Sequence, residues 1–395
     1  MNQSVNLVST PKKTISQQIA VAKPQLVAKQ LIVLALEMLL SFPLALVLTK
    51  LHFGGISWIF GGIAAGTAIL QICRIFYKYS PRPNRMARKV GMALVGLTVG
   101  AVNANTDLTS IAAGIPIFIF LTIFLLLCGG CIGYIYSRLS QTNLLTAMLA
   151  TVPGGVGVMS AIAADYNKNV TLVALVQAIR VTSVVLLIPF IARTAVGNYW
   201  NLPNLSVSSA WLNFDLSQLG LLAVVLPITA LVIYVVTKFK LPAGDFFSAL
   251  LLGLTFNTVL DLLPFVSDLH FEPPRLVNII GQMLLGITIG EYWGEKPTFG
   301  KRTLGYALMS VVMTLIAGAI ATMIAMQLTS WDWLTCLLVT APGGAAEMIL
   351  VSLALDHNVD IVTTGHLVRL IAINSSLPLW LFLFRRLEGC KGVGV

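Results

Sequence analysis

Acidic residues are scarce in this chain: 15 Asp and Glu stand beside 25 Lys and Arg in 395 residues, and charged residues of both signs make up only 10%. A soluble domain carries about 25%, so this is not an ordinary water-facing surface. Histidine is rarer still. His52, His270, His357 and His366 fall in different segments, which argues against a copper or iron centre built from converging imidazoles. The five cysteines, Cys73, Cys128, Cys131, Cys336 and Cys390, sit mostly in apolar stretches and form no zinc spacing. Cys128-Gly-Gly-Cys131 has redox spacing but lies in an apolar run without His or acidic partners, so it reads as small-residue helix packing. There is no phosphate loop and no nucleophile elbow. No enzyme, metal site or organic cofactor is expected.

What is present in abundance is apolar sequence. Hydrophobic residues make up 57% of the chain, the mean hydropathy is +0.88, and many apolar runs approach the ~20 residues that span a bilayer as a helix. The fold class is therefore an all-α polytopic membrane protein. The net charge of +10 is carried in short clusters between those runs, where it marks orientation and not nucleic-acid binding. Residues 1–30, with Lys12, Lys13, Lys23 and Lys29 and no cleavage-like pattern, read as a cytoplasmic tail. In a bacterium the protein belongs in the inner membrane, with the bilayer as its first partner.

Six apolar segments lie between 31 and 195 and six more between 216 and 385, separated by a connecting loop at 196–215 and followed by a short tail at 386–395. The two sets are a duplication. Pro153 and Pro342 are 189 residues apart, as are Arg180 and Arg369. Leu94-Val-Gly96-Leu-Thr98-Val-Gly100 parallels Leu284-Leu-Gly286-Ile-Thr288-Ile-Gly290, and Gln177-Ala-Ile-Arg180 parallels His366-Leu-Val-Arg369. Paired halves are how many secondary transporters are built. The Gly96/Gly100 and Gly286/Gly290 pairs allow close helix approach, by default inside the fold and otherwise at a homodimer face.

The most informative stretch occurs once in each half: Thr151-Val-Pro153-Gly154-Gly155-Val-Gly157-Val-Met159 and Thr340-Ala-Pro342-Gly343-Gly344-Ala-Ala346-Glu347-Met348. Pro removes a backbone donor and clashes with the preceding turn, and Gly-Gly tolerates nearly any dihedral, so each helix should break there. Freed backbone groups survive within a membrane only where protein or water satisfies them. If every segment simply crossed the bilayer, Lys50, Lys168, Lys238, Lys240, Lys296, Lys301 and Arg302 would lie outside. If each Pro-Gly-Gly segment enters and leaves on one face, only Lys50, Arg193 and Arg275 do. The second arrangement obeys the positive-inside rule better. It predicts ten crossings plus two broken or re-entrant helices, arranged as an inverted repeat with both termini cytoplasmic; twelve crossings in parallel halves are the alternative.

Arg180 and Arg369 sit in apolar helices, where each costs at least ~3 kcal/mol unless turned toward a partner or an aqueous path. Two readings stand side by side. The guanidinium groups form a fork for a carboxylate or other oxyanion, aided by helix N-termini at the breaks, or they cap carbonyls of the broken helices. Glu347 stands where the first copy has Val158. It either pairs with Arg369 or His366 or binds a coupling proton or cation, H+ or Na+. His366, one turn before Arg369, is a packing residue or a proton relay; Gln177 takes its place in the first half. Thr151 and Thr340 are placed to satisfy freed backbone groups or to line the path, and Met159 and Met348 to fill gaps. Asp245 follows Leu241-Pro-Ala-Gly244 as a helix-start cap, and Glu37 is costly and matches no motif.

These residues give the chain a resemblance to the bacterial AbrB-type integral membrane family, carried by Thr151 to Met159, Thr340 to Met348 and the Gly-Ile-Thr-Ile-Gly-like helices, over roughly residues 30 to 385. The resemblance implies a duplicated membrane domain. The family has been labelled both an ammonia monooxygenase and a regulator of gene expression, and shares its name with an unrelated soluble DNA-binding regulator. The residues themselves point to a secondary transporter moving a small anionic organic solute through a site made of Thr151, Pro153, Gly154, Gly155, Gln177, Arg180, Thr340, Pro342, Gly343, Gly344, Glu347, His366 and Arg369. A membrane-embedded regulator or sensor that moves nothing is the alternative, and a membrane monooxygenase the least favoured.

Overall fold

The computed structural model describes residues 14–51, 54–78, 83–104, 108–196, 216–239, 243–262, 270–292, 300–355 and 357–389. Every regular element among them is helical. The first half comprises α1 (Thr14–Lys50), a 3-10 turn (Gly54–Ile56), α2 (Ser57–Phe76), α3 (Arg85–Val102), α4 (Leu108–Ser140), α5 (Leu144–Thr151), α6 (Val156–Asp165) and α7 (Val170–Val196). The second comprises α8 (Leu216–Lys238), α9 (Gly244–Asp261), α10 (Arg275–Glu291), α11 (Lys301–Leu328), α12 (Trp333–Thr340), α13 (Ala345–Ala354) and α14 (Val359–Gly389). Ten of these helices have 17 residues or more, and the other four form two broken pairs, α5/α6 and α12/α13. The 196–215 connection lies almost wholly outside the described residues, as do Asp356 and residues 293–299.

Two boundaries differ from expectation. α1 begins at Thr14, inside the stretch read as a tail, and runs through Pro24. α14 runs past residue 385 to Gly389, where the chain reaches its first glycine after Gly365.

Local sequence sets the other ends. Asn84, Asn143 and Asp332 open α3, α5 and α12 by accepting hydrogen bonds from the first-turn amides, such as Leu334 N at 3.0 Å from Asp332. Lys78, Gln141 and Asn167 leave helices with positive φ, and Asn358 takes it just before α14. Asp245 is not a cap: Ala243 takes the N-cap position of α9, and Asp245 sits in the first turn, 3.9 Å from Lys89. A carboxylate there still faces the positive end of the helix dipole.

α1, α2, α4, α7, α8, α11 and α14 are long and apolar enough to cross a membrane. Leu39, Leu231, Tyr234, Val312, Ile316 and Met323 stand exposed on them, as a lipid-facing surface requires. α3, α9 and α10 do not meet that test. With 17 or 18 residues they extend about 26 Å, and they form the centre of the scaffold.

That centre is built on glycine. α2 packs along α10 through Gly62 and Gly66 against Gly286 and Gly290, and α3 packs along α9 through Gly96 and Gly100 against Gly253. A methyl group on Gly62 would lie 2.5 Å from the Met283 carbonyl oxygen, and one on Gly253 2.5 Å from that of Leu97. The helix backbones touch, so these small-residue pairs are consumed inside the fold.

Under the 189–190 residue offset, α3 corresponds to α10 and α2 to α9, so the two packed pairs exchange. α3 and α10 also cross each other at Gly91 and Gly281, equivalent positions. Gly91 faces Leu285 while Gly281 faces Val95, and Asn84 at the start of α3 donates its N–H to Glu291 at the end of α10, at 2.8 Å. These equivalent helices are antiparallel.

Candidate functional site

Both predicted breaks are present. α5 stops at Thr151 and α6 begins at Val156; α12 stops at Thr340 and α13 begins at Ala345. Gly155 adopts φ +80, a conformation strained for any residue with a Cβ. The second break folds back on itself. Asp332 at the start of α12 accepts a hydrogen bond from Asn358 Nδ2 at 3.1 Å and lies 2.7 Å from His357 Nε2, both just beyond the end of α13. Entry and exit are therefore on one face, so α12–α13 is a hairpin.

Each break is seated on a long helix of its own half in the same way. Pro153 packs on Gly129 of α4 and Pro342 on Gly318 of α11, glycines 189 residues apart. Thr151 Oγ1 donates to the Gly129 carbonyl at 3.0 Å, and Thr340 Oγ1 lies 3.4 Å from the Gly318 carbonyl and 2.8 Å from Thr322 Oγ1. The Cys128-Gly-Gly-Cys131 stretch is thus the seat of the first break, with both thiols free. Met159 lies over Gly154, and Met348 approaches Gly343; both are almost fully buried gap fillers.

The polar residues of α7 and α14 satisfy what the breaks leave open. A helix end frees its last carbonyls. In the first half Gln177 Nε2 donates to the Leu149 and Val152 carbonyls at 2.9 and 3.0 Å, and Arg180 Nη1 donates to Thr151 O at 3.0 Å. In the second, His366 Nε2 donates to Leu338 O at 3.0 Å, and Arg369 donates to Ala341 O at 2.8 Å and Gly343 O at 3.4 Å. The arginines also neutralise the negative ends of the α5 and α12 dipoles. Carbonyl capping is thus one role that both perform.

It does not exhaust them. Arg180 is 3% exposed, and its Nε is buried with no hydrogen-bond partner. The two halves meet here, because Gly343 of the second break packs on Val184 of α7, one turn beyond Arg180, and Arg369 is close enough to act on Arg180 as a like charge. A buried cation within reach of a second one calls for a compensating anion or dipole. A shallow hollow between α4 and α11, lined by Ile132, Tyr136, Tyr306 and Ser310 among others, includes neither arginine.

Glu347 departs from the expected pairing. It lies in the first turn of α13 and folds over Gly344, but its ionic partner is Arg88 of α3, with Nη2 3.8 Å from Oε1. Arg88 Nη1 also donates to Tyr292 Oη at 2.7 Å. The reason is packing: α13 lies against α3, whereas Arg369 and His366 are committed to carbonyls on the other side of the break. Arg88, Tyr292 and Gly318 were not singled out by sequence, and Gly129 only as part of the Cys128-Gly-Gly-Cys131 stretch. The 189-residue offset between the two glycines was a usable signal, whereas Arg88 looked like one more residue of a basic end cluster. Among the described residues no group of three or more His, Cys, Asp and Glu is placed to hold a metal ion.

A family model described as "Transition state regulatory protein AbrB" matches residues 58–385. A Bacillus subtilis (strain 168) chain named "Uncharacterized protein YhjN" is 27% identical over 348 residues, covering 85% of this chain and 89% of its own. An Escherichia coli (strain K12) chain named "Putative regulator AbrB" is 25% identical over 296 residues, covering 73% of this chain and 80% of its own.

Proposed function

The chain belongs to the AbrB family of membrane proteins, and from that premise we propose that it is a secondary transporter of a small organic anion. The observation that supports this most directly is the buried, unpartnered Nε of Arg180, with Arg369 of the other half within electrostatic reach and the second break packed one turn away through Gly343 on Val184. The N-terminus of α6 adds to the attraction for an anion. It has no side-chain cap and no acidic residue in its first turn, so its amides and positive dipole end are free for a carboxylate. At the second break that place is taken by the chain's own Glu347. The solute carboxylate therefore belongs at the first break, between Arg180 and the α6 amides.

The halves cross the bacterial inner membrane in opposite senses, with ten crossings, two hairpins and both termini in the cytoplasm. The antiparallel crossing of α3 and α10 supports this, since a duplicated pair related by an axis along the membrane normal would run parallel. The cycle moves one helix bundle against the other around the breaks. The reading implies a carrier and not an enzyme, with no nucleic acid bound; a homodimer would use the outer helix faces, because the glycine seams are already occupied.

Purified protein should gain thermal stability from small carboxylic acids, since a ligand that binds the native state raises apparent stability. In proteoliposomes, Arg369→Gln should abolish flux of the stabilising acid while leaving the fold intact. Full flux in that variant would remove Arg369 from the mechanism. Retained target-gene regulation in a variant that blocks flux would instead favour a sensor.

A further inference from the structure

The transport reading leaves two buried carboxylates unused. Glu37, in the middle of α1, is 0% exposed, and neither of its oxygens has a hydrogen-bond partner. Glu291, the last residue of α10, is 2% exposed and, among the described residues, accepts the Asn84 N–H alone, at 2.8 Å. α1 packs on both α2 and α10, which brings the two carboxylates within electrostatic reach of each other. Among the described residues the charged and titratable groups near them are engaged elsewhere. From α2 it is the Cys73 thiol that senses Glu37. From α3, Arg88 is engaged with Tyr292 and Glu347, and Lys89 with Asp245. No Lys, Arg or His among the described residues pairs with either carboxylate. One turn along α1 from Glu37, the Ser41 hydroxyl is also buried and without a partner.

Two uncompensated carboxylates cannot both stay ionised in a dry, apolar setting: desolvation costs several kcal/mol per ion, and like charges add to it. At least one proton must reside there. A metal cation is the weaker candidate, because these groups do not form part of any cluster with three acidic, His or Cys ligands.

We propose that Glu37 and Glu291 form a proton-binding pair, and, resting on the transport reading above, that this pair holds the coupling proton of the carrier. Glu291 is the last residue of α10, so in this proposal the proton enters at that helix end and passes to the carboxylate pair. Loss of the proton leaves a negative charge at the end of α10. The response reaches the substrate breaks through the adjoining Tyr292, whose hydroxyl is held by Arg88, which in turn faces Glu347 in the first turn of α13.

The test uses infrared spectroscopy of the purified full-length protein and proton-driven flux in proteoliposomes. Wild type at neutral pH should show a protonated-carboxyl stretch, shifted in heavy water, that is lost in Glu37→Gln. In Glu291→Gln, which removes the facing like charge, the band should disappear at lower pH than in wild type. A band unchanged in Glu37→Gln overturns the proton site, and so does its loss on adding sodium chloride at constant pH, which would mark a cation site. In liposomes, Glu37→Gln should keep solute exchange at equal pH and lose acceleration by an acid gradient. Intact gradient dependence overturns the coupling role alone. Absence of flux in wild type overturns the transport reading, and the infrared band still decides the proton site.

Discussion

Gln177 and His366 make the same pair of contacts in the two halves of the chain. Gln177 accepts from Arg180 Nη2 at 2.5 Å through its amide oxygen and donates its Nε2 to the Leu149 carbonyl. His366 meets Arg369 Nη2 at 2.7 Å through Nδ1 and donates Nε2–H to the Leu338 carbonyl. An arginine and a carbonyl as neighbours require an acceptor on one side and a donor on the other. A neutral amide satisfies that without titrating, so the imidazole in the matching place is the neutral tautomer with its proton on Nε2. Both ring nitrogens are then occupied, and His366 holds Arg369 and the Leu338 carbonyl in place.

The first prediction follows from that equivalence. His366→Gln should retain flux and thermal stability close to wild type, because an amide already does this work at 177. His366→Ala should lose both, since it strands a buried carbonyl and an arginine donor at a cost of about 1–3 kcal/mol for each unsatisfied group. Melting curves in detergent and flux in proteoliposomes check this. A His366→Gln variant as impaired as His366→Ala would show that the amide does not replace the imidazole and would overturn the equivalence.

The second concerns the difference between capping and anion binding at Arg180. A lysine in its place can still donate to the Thr151 carbonyl, but it lacks the fork and the Nε–H that has no partner in this state. Arg180→Lys should therefore keep most of its thermal stability while losing stabilisation by small carboxylic acids. The ligand-induced shift in melting temperature is the measurement. An unchanged shift would assign Arg180 to carbonyl capping alone.

A third prediction addresses the scaffold. A methyl group on Gly66 would lie 2.5 Å from the Ile287 carbonyl oxygen and one on Gly253 2.5 Å from that of Leu97, in each case against backbone that cannot rotate away. Gly66→Ala and Gly253→Ala should each force their helix pair apart and lower the yield of monodisperse protein. Gly220 has nothing within 4 Å of an added methyl group, so Gly220→Ala should be harmless. Size-exclusion profiles of the three variants decide the matter.

These contrasts show why the breaks were legible in sequence and their partners were not. Pro-Gly-Gly acts locally, through the missing donor of proline and the free dihedrals of glycine, so α5/α6 and α12/α13 could be read residue by residue. The repeat offset was equally visible, because Pro153, Arg180, Pro342 and Arg369 keep step. The partner of Glu347 was not, because the contact with Arg88 depends on α13 lying against α3, a relation between distant segments that no spacing encodes. Glu291 was hidden for the same reason: nothing in Gly290-Glu291-Tyr292 indicates that α1 brings Glu37 beside it.

The last prediction concerns the turn that closes the second hairpin. Burial alone would raise the Asp332 carboxyl, but hydrogen bonds from Thr335 and His357, together with the His357 charge, outweigh it and hold the group below its ordinary value. A carboxylate held low when folded stabilises the protein at pH above its unfolded value, about 3.9, and loses that contribution as pH falls through the folded value. Asp332→Asn keeps an acceptor for the α12 amides but not the charge. The variant should therefore melt below wild type between pH 5 and 8, by an amount that salt reduces because the group is partly exposed. Below about pH 4 the two curves should converge. Asp332→Ala, which removes the cap as well, should stay less stable by about 1 kcal/mol even there. A gap between wild type and Asp332→Asn that widens on acidification would mean that the carboxyl is held above its ordinary value, and that the Asp332 to Asn358 closure draws nothing from its charge.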